Sequence, residues 1–157
     1  MKIHLWSVGK VHDPYIKIGV EVFTKRISHY HGVEWKLIPS PKKASELTIQ
    51  ELKKIEAEII LNLVNKEDVL IILDEKGKQL TSEELSVLIQ SNADKSIKNL
   101  IFLIGGAYGV DDKIIKRAAV TWSLSNLVFP HQLVRLILAE QIYRACTINR
   151  NEKYHHT

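Results

Sequence analysis

The sequence predicts an α/β domain, with a mostly parallel sheet covered by helices on both faces. Three observations carry that prediction. Strand-like and helix-like segments alternate from one end of the chain to the other. Two runs, Val69–Leu73 and Leu100–Ile104, are apolar without interruption, as strands buried on both faces of a parallel sheet are. The last helix-like segment, beginning at Pro130, is apolar around nearly its whole circumference. No repeat, low-complexity tract or composition shift divides the 157 residues, so residues 1–157 read as a single domain.

Each element has its own signal. Lys2–Gly9 alternates in side-chain character and ends at a glycine, which predicts a strand. Asp13-Pro14 predicts a helix start, with Asp as N-cap and Pro at the first helical position. Ile16, Val20, Phe23, Ile27 and Tyr30 then form one apolar face, and His31-Gly32 ends the helix. Val33–Ile38 reads as a second strand and Pro39–Lys43 as an irregular basic loop. Thr48 and Glu51 have capping-box spacing. The helix they open should bury Leu52, Ile55, Ile59 and Leu63 and turn its lysines and glutamates outward. The strand over Asp68–Asp74 should run into a turn at Glu75–Lys78. Thr81 and Glu84 repeat the capping box and open a helix to about Gln90. After the strand Leu100–Ile104 come a glycine turn, Gly105–Gly109, a short helix over Asp111–Lys116, a strand over Ala119–Leu124 and the last helix.

Composition narrows the function classes without choosing one. A net charge of +4 is a mild lean toward anionic partners and no nucleic-acid signature by itself. The one cysteine, Cys146, allows no internal disulfide and sits in apolar surroundings. The start lacks a signal-peptide apolar run, and no stretch approaches the ~18 apolar residues needed to span a bilayer. The expectation is a soluble, cytoplasmic protein.

In an open α/β sheet, ligands collect at the carboxyl ends of the strands. Three such ends stand out: Leu73-Asp74, Gly105-Gly106 and Leu124–Phe129. The glycine pair permits close backbone approach to a ligand and positive φ, and it equally suits a plain tight turn. Asp74 fits a ligand contact, a cap or a turn. Ser123–Asn126 suits a loop that recognises an adenine or ribose edge, and also an ordinary turn. Dinucleotide and P-loop fingerprints are absent, as is a nucleophile elbow. The histidines lack zinc-site spacing, and His29/His31 and His155/His156 read as solvated. What remains is a site of backbone groups, suited to a cofactor that carries its own reactivity and with no metal.

Leu133, Val134, Leu136, Ile137, Leu138, Ala139, Ile142, Tyr143, Ala145 and Cys146 cover nearly every side of the last helix. One side should face the sheet and another a second subunit, which predicts a homodimer. Arg135 and Arg144 within it need partners: Glu140 for Arg144 at i, i+4, a ligand, or the other chain. The terminal Arg150–Thr157 reads either as a frayed tail or as a basic, aromatic arm that stacks on an RNA base.

Ile104-Gly105-Gly106-x-x-Gly109, Leu124-Ser125, Phe129-Pro130-His131-Gln132-Leu133-Val134-Arg135, Glu140-Gln141-x-Tyr143-Arg144-Ala145 and Tyr154-His155 together resemble the RlmH family. These are small ribosomal RNA large-subunit methyltransferases of the SPOUT superfamily. Ser7-Val8-Gly9-Lys10 and Gly77-Lys78 fit as well, and the resemblance covers essentially the whole chain. It implies a trefoil-knotted α/β fold, a homodimer, and S-adenosyl-L-methionine bound within the knot. It implies methyl transfer to N3 of a pseudouridine in 23S rRNA on the assembled ribosome. By matching motif, Leu73, Gly105, Leu124, Ser125, Asn126, Leu127, Val128 and Phe129 would contact the cofactor. Arg144, Tyr154 and His155 would serve the RNA. The family often has a basic residue after the Tyr-His pair, where this chain has His156. For the reaction itself, His131 is a candidate base and Arg144 a candidate stabiliser of the developing anion; Pro130-His131 also fits a purely structural helix start. Methylation of another RNA such as tRNA, or a non-catalytic ribosome-associated module, are the alternatives.

Overall fold

The computed structural model describes residues 1–156. Five parallel strands lie in the order β2-β1-β4-β3-β5: β1 (Lys2–Val8), β2 (Gly32–Ile38), β3 (Val69–Gln79), β4 (Asn99–Ile104) and β5 (Val120–Ser123). Helices α1 (Pro14–Ile27), α3 (Ser82–Asp94) and α5 (His131–Asn149) cover one face. Helices α2 (Ile49–Leu63) and α4 (Asp112–Arg117) cover the other. The uninterrupted runs explain the layering. Phe102 and Leu100 of β4 point into one core with Ile71, Leu138 and Ile142, while Ile101 and Leu103 point into the other with Leu70, Ile72, Ala57 and Ile114.

Local signals act as the sequence implies at Thr48/Glu51 and Thr81/Glu84, where both capping boxes close reciprocally. Asp13 holds the N-cap position of α1, but its side chain makes no capping bond. Its backbone N–H instead donates to Gln132 Oε1 of α5 at 3.0 Å, so the start of α1 is tied to a distant helix. Helix α3 runs one turn past Gln90, to Asp94.

Three expectations are corrected by packing. The turn at Glu75–Lys78 is a bulge inside β3: Leu73 and Lys78 both pair with Trp122, and the residues between loop out. Gly77 makes this possible, because a Cβ there would lie 2.6 Å from the Thr121 carbonyl oxygen. On α2 the fully buried positions are Glu56, Ala57 and Ile60, with Leu52, Ile55, Ile59 and Leu63 only half-buried. Glu56 therefore turns inward, against the expectation for its glutamates. Helix α5 lies between α1 and α3 and touches both as extensively as any helix pair here, so one chain already encloses much of its circumference. Leu133, Val134, Leu136, Ile137 and Tyr143 of α5 remain half-buried in the single chain. The unpartnered apolar stripe lies elsewhere, on Val11, Tyr15, Ile18 and Val22, which are 42–72 % exposed along the outer side of α1 and the loop before it.

Arg135 is 1 % exposed and is the largest fully buried side chain. Its Nε–H donates to Ser7 Oγ at 2.9 Å and its Nη1 to the Lys10 carbonyl at 2.9 Å and to His12 Nδ1 at 3.3 Å. Burial lowers its pKa, and the field of Asp13 opposes that shift. The second turn of α5 is thereby fixed to the carboxyl end of β1. Arg135→Ala should lower stability by about 3 kcal/mol, because Ser7, Lys10 and His12 lose their partner inside the protein; a urea melt within about 0.5 kcal/mol of the parent would contradict this. Burial also raises the pKa of Glu56 above 4.5. The folded state then holds the Glu56 proton at pH values where the unfolded chain has lost it, so this group's contribution falls as pH rises from 4.5 through the raised value. Glu56→Gln should flatten the fall in urea midpoint between acidic and neutral pH. Parallel curves for parent and variant would contradict the assignment.

Candidate active site

The carboxyl ends of β3, β4 and β5 open into one cavity of about 700 Å³. Every residue matched to cofactor contact lines it: Leu73, Gly105, Leu124, Ser125, Asn126, Leu127, Val128 and Phe129. Elements far apart in sequence complete the wall, with Lys53 from α2, Asp74–Lys76 from the β3 bulge, and His131 and Val134 from the start of α5. A second, shallower hollow of about 470 Å³ lies between α1 and the β2 edge and contains none of these residues.

The Gly105–Gly109 turn and the Leu124–Phe129 loop form much of the cavity wall, beside the side chains of Lys53, Asp112 and His131. Neither Gly105 nor Gly106 has positive φ; a Cβ at Gly105 would lie 2.6 Å from Val110 Cγ1, and one at Gly106 would lie 2.7 Å from Glu56 Oε2 and displace that carboxylate. Positive φ (+78°) falls instead on Gly109, whose N–H donates to the Gly106 carbonyl and closes a tight turn. Asp74 is a turn residue within the cavity wall, its Oδ1 accepting from the Lys76 N–H at 2.9 Å. The Ser125 hydroxyl accepts from the Leu127 N–H, and the Ser123 hydroxyl donates to the Ser125 carbonyl. The Ser123 hydroxyl and the Leu127 N–H are thus occupied in shaping the loop, while the Ser125 hydroxyl can still donate to a ligand.

His131 projects from the first turn of α5 onto the glycine turn, where Nε2 lies 2.5 Å from the Gly105 carbonyl oxygen. A carbonyl only accepts, so Nε2 carries the proton and Nδ1 is the free basic nitrogen. Burial lowers the His131 pKa below 6.5; the Gly105 bond opposes this and the Arg135 charge, one helical turn away, reinforces it.

The other matched residues gather in a second cluster. The Arg144 guanidinium donates through Nε and Nη2 to Glu140 Oε1 at 3.0 and 2.6 Å, a bond that raises its pKa, and lies 4.8 Å over the Tyr154 ring. Tyr154 donates its hydroxyl to Glu140 at 3.0 Å and packs 4.7 Å from Tyr143. His155 lies 2.7 Å from Glu83 of α3 and 3.4 Å from Arg144 Nη1. His155 is therefore engaged rather than solvated, and the tail through His155 is docked on α5 rather than frayed; Thr157 lies outside the described residues. None of Arg144, Tyr154 and His155 lines the cavity, and Arg144 stands ten residues beyond Val134, about 15 Å of helix. Sequence reasoning missed Glu83, Lys53, Tyr108 and the Ser7–Arg135–His12 web; only Arg135, a charge in an apolar helix one turn after His131, carried a local signal.

Among the described residues no three metal-binding side chains converge, and no helix is long and apolar enough to cross a membrane. Cys146 is buried, and burial pushes its thiol up to about 12.

A family model described as predicted SPOUT methyltransferase matches residues 1–155. The ribosomal RNA large subunit methyltransferase H of Cytophaga hutchinsonii is 47% identical over 156 residues, spanning 99% of this chain and 100% of that one. Its counterpart from Trichlorobacter lovleyi is 40% identical with the same coverage. The structure of a probable methylase family protein from Haemophilus influenzae Rd KW20 superposes with a TM-score of 0.55 at 14% identity, over 99% of this chain and 70% of that one, a likeness of fold alone. By sequence over nearly its full length, the chain belongs to the SPOUT methyltransferase family, among the ribosomal RNA large subunit methyltransferase H proteins.

Proposed function

We propose that this protein transfers a methyl group from S-adenosyl-L-methionine to N3 of a pseudouridine in 23S rRNA of the assembled ribosome, acting in the cytoplasm as a homodimer. The observation that carries the reading is the cavity at the carboxyl ends of β3, β4 and β5, lined by every residue that the family resemblance assigns to the cofactor. That cradle fits a compact, uncharged-edged adenosine group held by amides, through Gly105, Leu73 and the loop Leu124–Phe129. The relatives' names supply the substrate class. When bound, the cofactor supplies an electrophilic methyl group, and the protein's own residues have two tasks: to hold the acceptor nitrogen in line and to manage its proton.

His131 takes the N3 proton through Nδ1 while Nε2–H holds the Gly105 carbonyl. Arg144 stabilises the anionic pyrimidine that deprotonation leaves. Since the Arg144–Tyr154–His155 cluster does not line its own chain's cavity, the second copy presents it, with the apolar stripe Val11, Tyr15, Ile18 and Val22 as the contact surface. The close passage of Gly77 against β5 is compatible with a knotted chain at the cofactor site.

Purified ribosomes lacking the modification, free 23S rRNA and tRNA should be compared as methyl acceptors, with the modified nucleotide mapped. Ribosomes should be methylated at a pseudouridine N3; transfer to tRNA alone, or no cofactor binding by calorimetry, would overturn the reading. In the same assay Arg144→Ala should lose about a hundredfold in turnover with cofactor binding intact. His131→Gln, which keeps a donor for Gly105 but no base, should also lose about a hundredfold. The parent should keep its rate somewhat below pH 6.5, because the lowered His131 pKa leaves the base form populated there. Full turnover by His131→Gln would leave the residue a structural role only.

A further inference from the structure

Three aromatic side chains line the cavity, and they differ in what else they touch. Trp122 is buried against Phe102, Phe129 is half-buried, and Tyr108 is 56 % exposed. Tyr108 sits at the tip of the turn closed by Gly109 N–H and the Gly106 carbonyl, next to the Gly105–Gly106 cradle. Among the described residues its ring has no aromatic or cationic neighbour and its hydroxyl no hydrogen-bond partner. Ile115, Leu127 and Val128 form the rest of an exposed apolar lip around the same opening. Tyr154, the aromatic residue of the tail, offers a contrast. Its ring is held between Tyr143 and Arg144, and its hydroxyl is bonded to Glu140.

We infer that Tyr108 is the stacking platform for the target pyrimidine, holding the unstacked base at the mouth of the cofactor cavity. The inference rests on the methyltransferase reading above and adds the residue that places the base. An enzyme acting on a base must take it out of its stack, and the unstacked face needs a replacement surface. Aromatic rings supply that surface in single-stranded RNA recognition, with an apolar surround that excludes water. The tight turn, closed by a backbone hydrogen bond and a glycine at φ +78°, fixes the backbone that carries the ring, so that only two side-chain torsions remain to be ordered when a base lands on it. Tyr154 would have to give up two ring contacts and a hydrogen bond to serve the same purpose.

Tyr108→Ser and Tyr108→Phe in the full-length protein separate the possibilities, since the side chain is exposed at a loop tip and its removal leaves the core intact. With ribosomes lacking the modification, Tyr108→Ser should raise KM for the ribosome and lower kcat/KM by about tenfold or more, while Tyr108→Phe stays within about twofold of the parent. Equilibrium dialysis with labelled S-adenosyl-L-methionine should give all three proteins the same cofactor affinity. Unchanged kcat/KM in Tyr108→Ser, or loss in Tyr108→Phe equal to that in Tyr108→Ser, would overturn the stacking role. A cofactor affinity weakened in step with activity would reassign the ring to the cofactor. A parent protein that methylates no RNA would instead sink the methyltransferase reading itself.

Discussion

A guanidinium buried where no carboxylate pairs with it fixes the geometry on which the rest of this structure depends. Arg135 draws its compensation from a hydroxyl, a carbonyl and an imidazole supplied by β1 and the loop after it. A charge in that position tolerates little displacement, because each bond lost leaves part of the guanidinium desolvated and unpaired. The start of α5 is therefore fixed in both depth and rotation. His131, one turn earlier, then meets the Gly105 carbonyl, and Val134 and Phe129 join the cavity wall. The Gln132 contact with the Asp13 N–H adds a second tie between the same two regions.

Close packing shapes the cavity wall at the glycine turn. Gly105 and Gly106 lie where Val110 and Glu56 leave no room for a Cβ, and Ser123 and Ser125 direct their hydroxyls into the loop itself. Such a wall can bind and orient, and it also carries ionisable side chains, among them Lys53, Asp74, Asp112 and His131. Its imidazole is kept uncharged by burial and by the nearby Arg135, which suits a proton acceptor near neutral pH. The strong cation, Arg144, is elsewhere, balanced by Glu140 and covered by Tyr154. In the proposed dimer this separation is a division of labour, one copy holding the methyl donor and the other presenting charge to the acceptor.

Sequence reading succeeded where the cause is local. Capping boxes at Thr48 and Thr81 act within four residues, and the apolar runs Val69–Leu73 and Leu100–Ile104 report burial on two faces directly. The three strand ends were likewise legible, because parallel topology gathers them on one edge. Errors arose where a non-local contact decides. Glu75–Lys78 has the residues of a turn, and only β5 passing beside Gly77 makes it a bulge. Glu56 looks like a solvated position until the glycine turn is placed against it. The helix α5 is as apolar as an interface helix, yet α1 and α3 cover much of it. The tail's docking on Glu140, Arg144 and Glu83 could not be read from composition, since its partners lie on two helices.

In the proposed dimer a working site combines the cavity of one chain with the Arg144 cluster of the other. Co-expression of two differently tagged subunits tests it, one carrying Gly105→Leu, whose side chain would collide with Val110 and disrupt the cradle, and the other Arg144→Ala. Neither homodimer should methylate ribosomes. The doubly purified mixed dimer holds one intact composite site and should recover about half the parent rate per dimer, as two-fold symmetry requires. A mixed dimer as inactive as its parents would place the whole site within one chain and contradict the account.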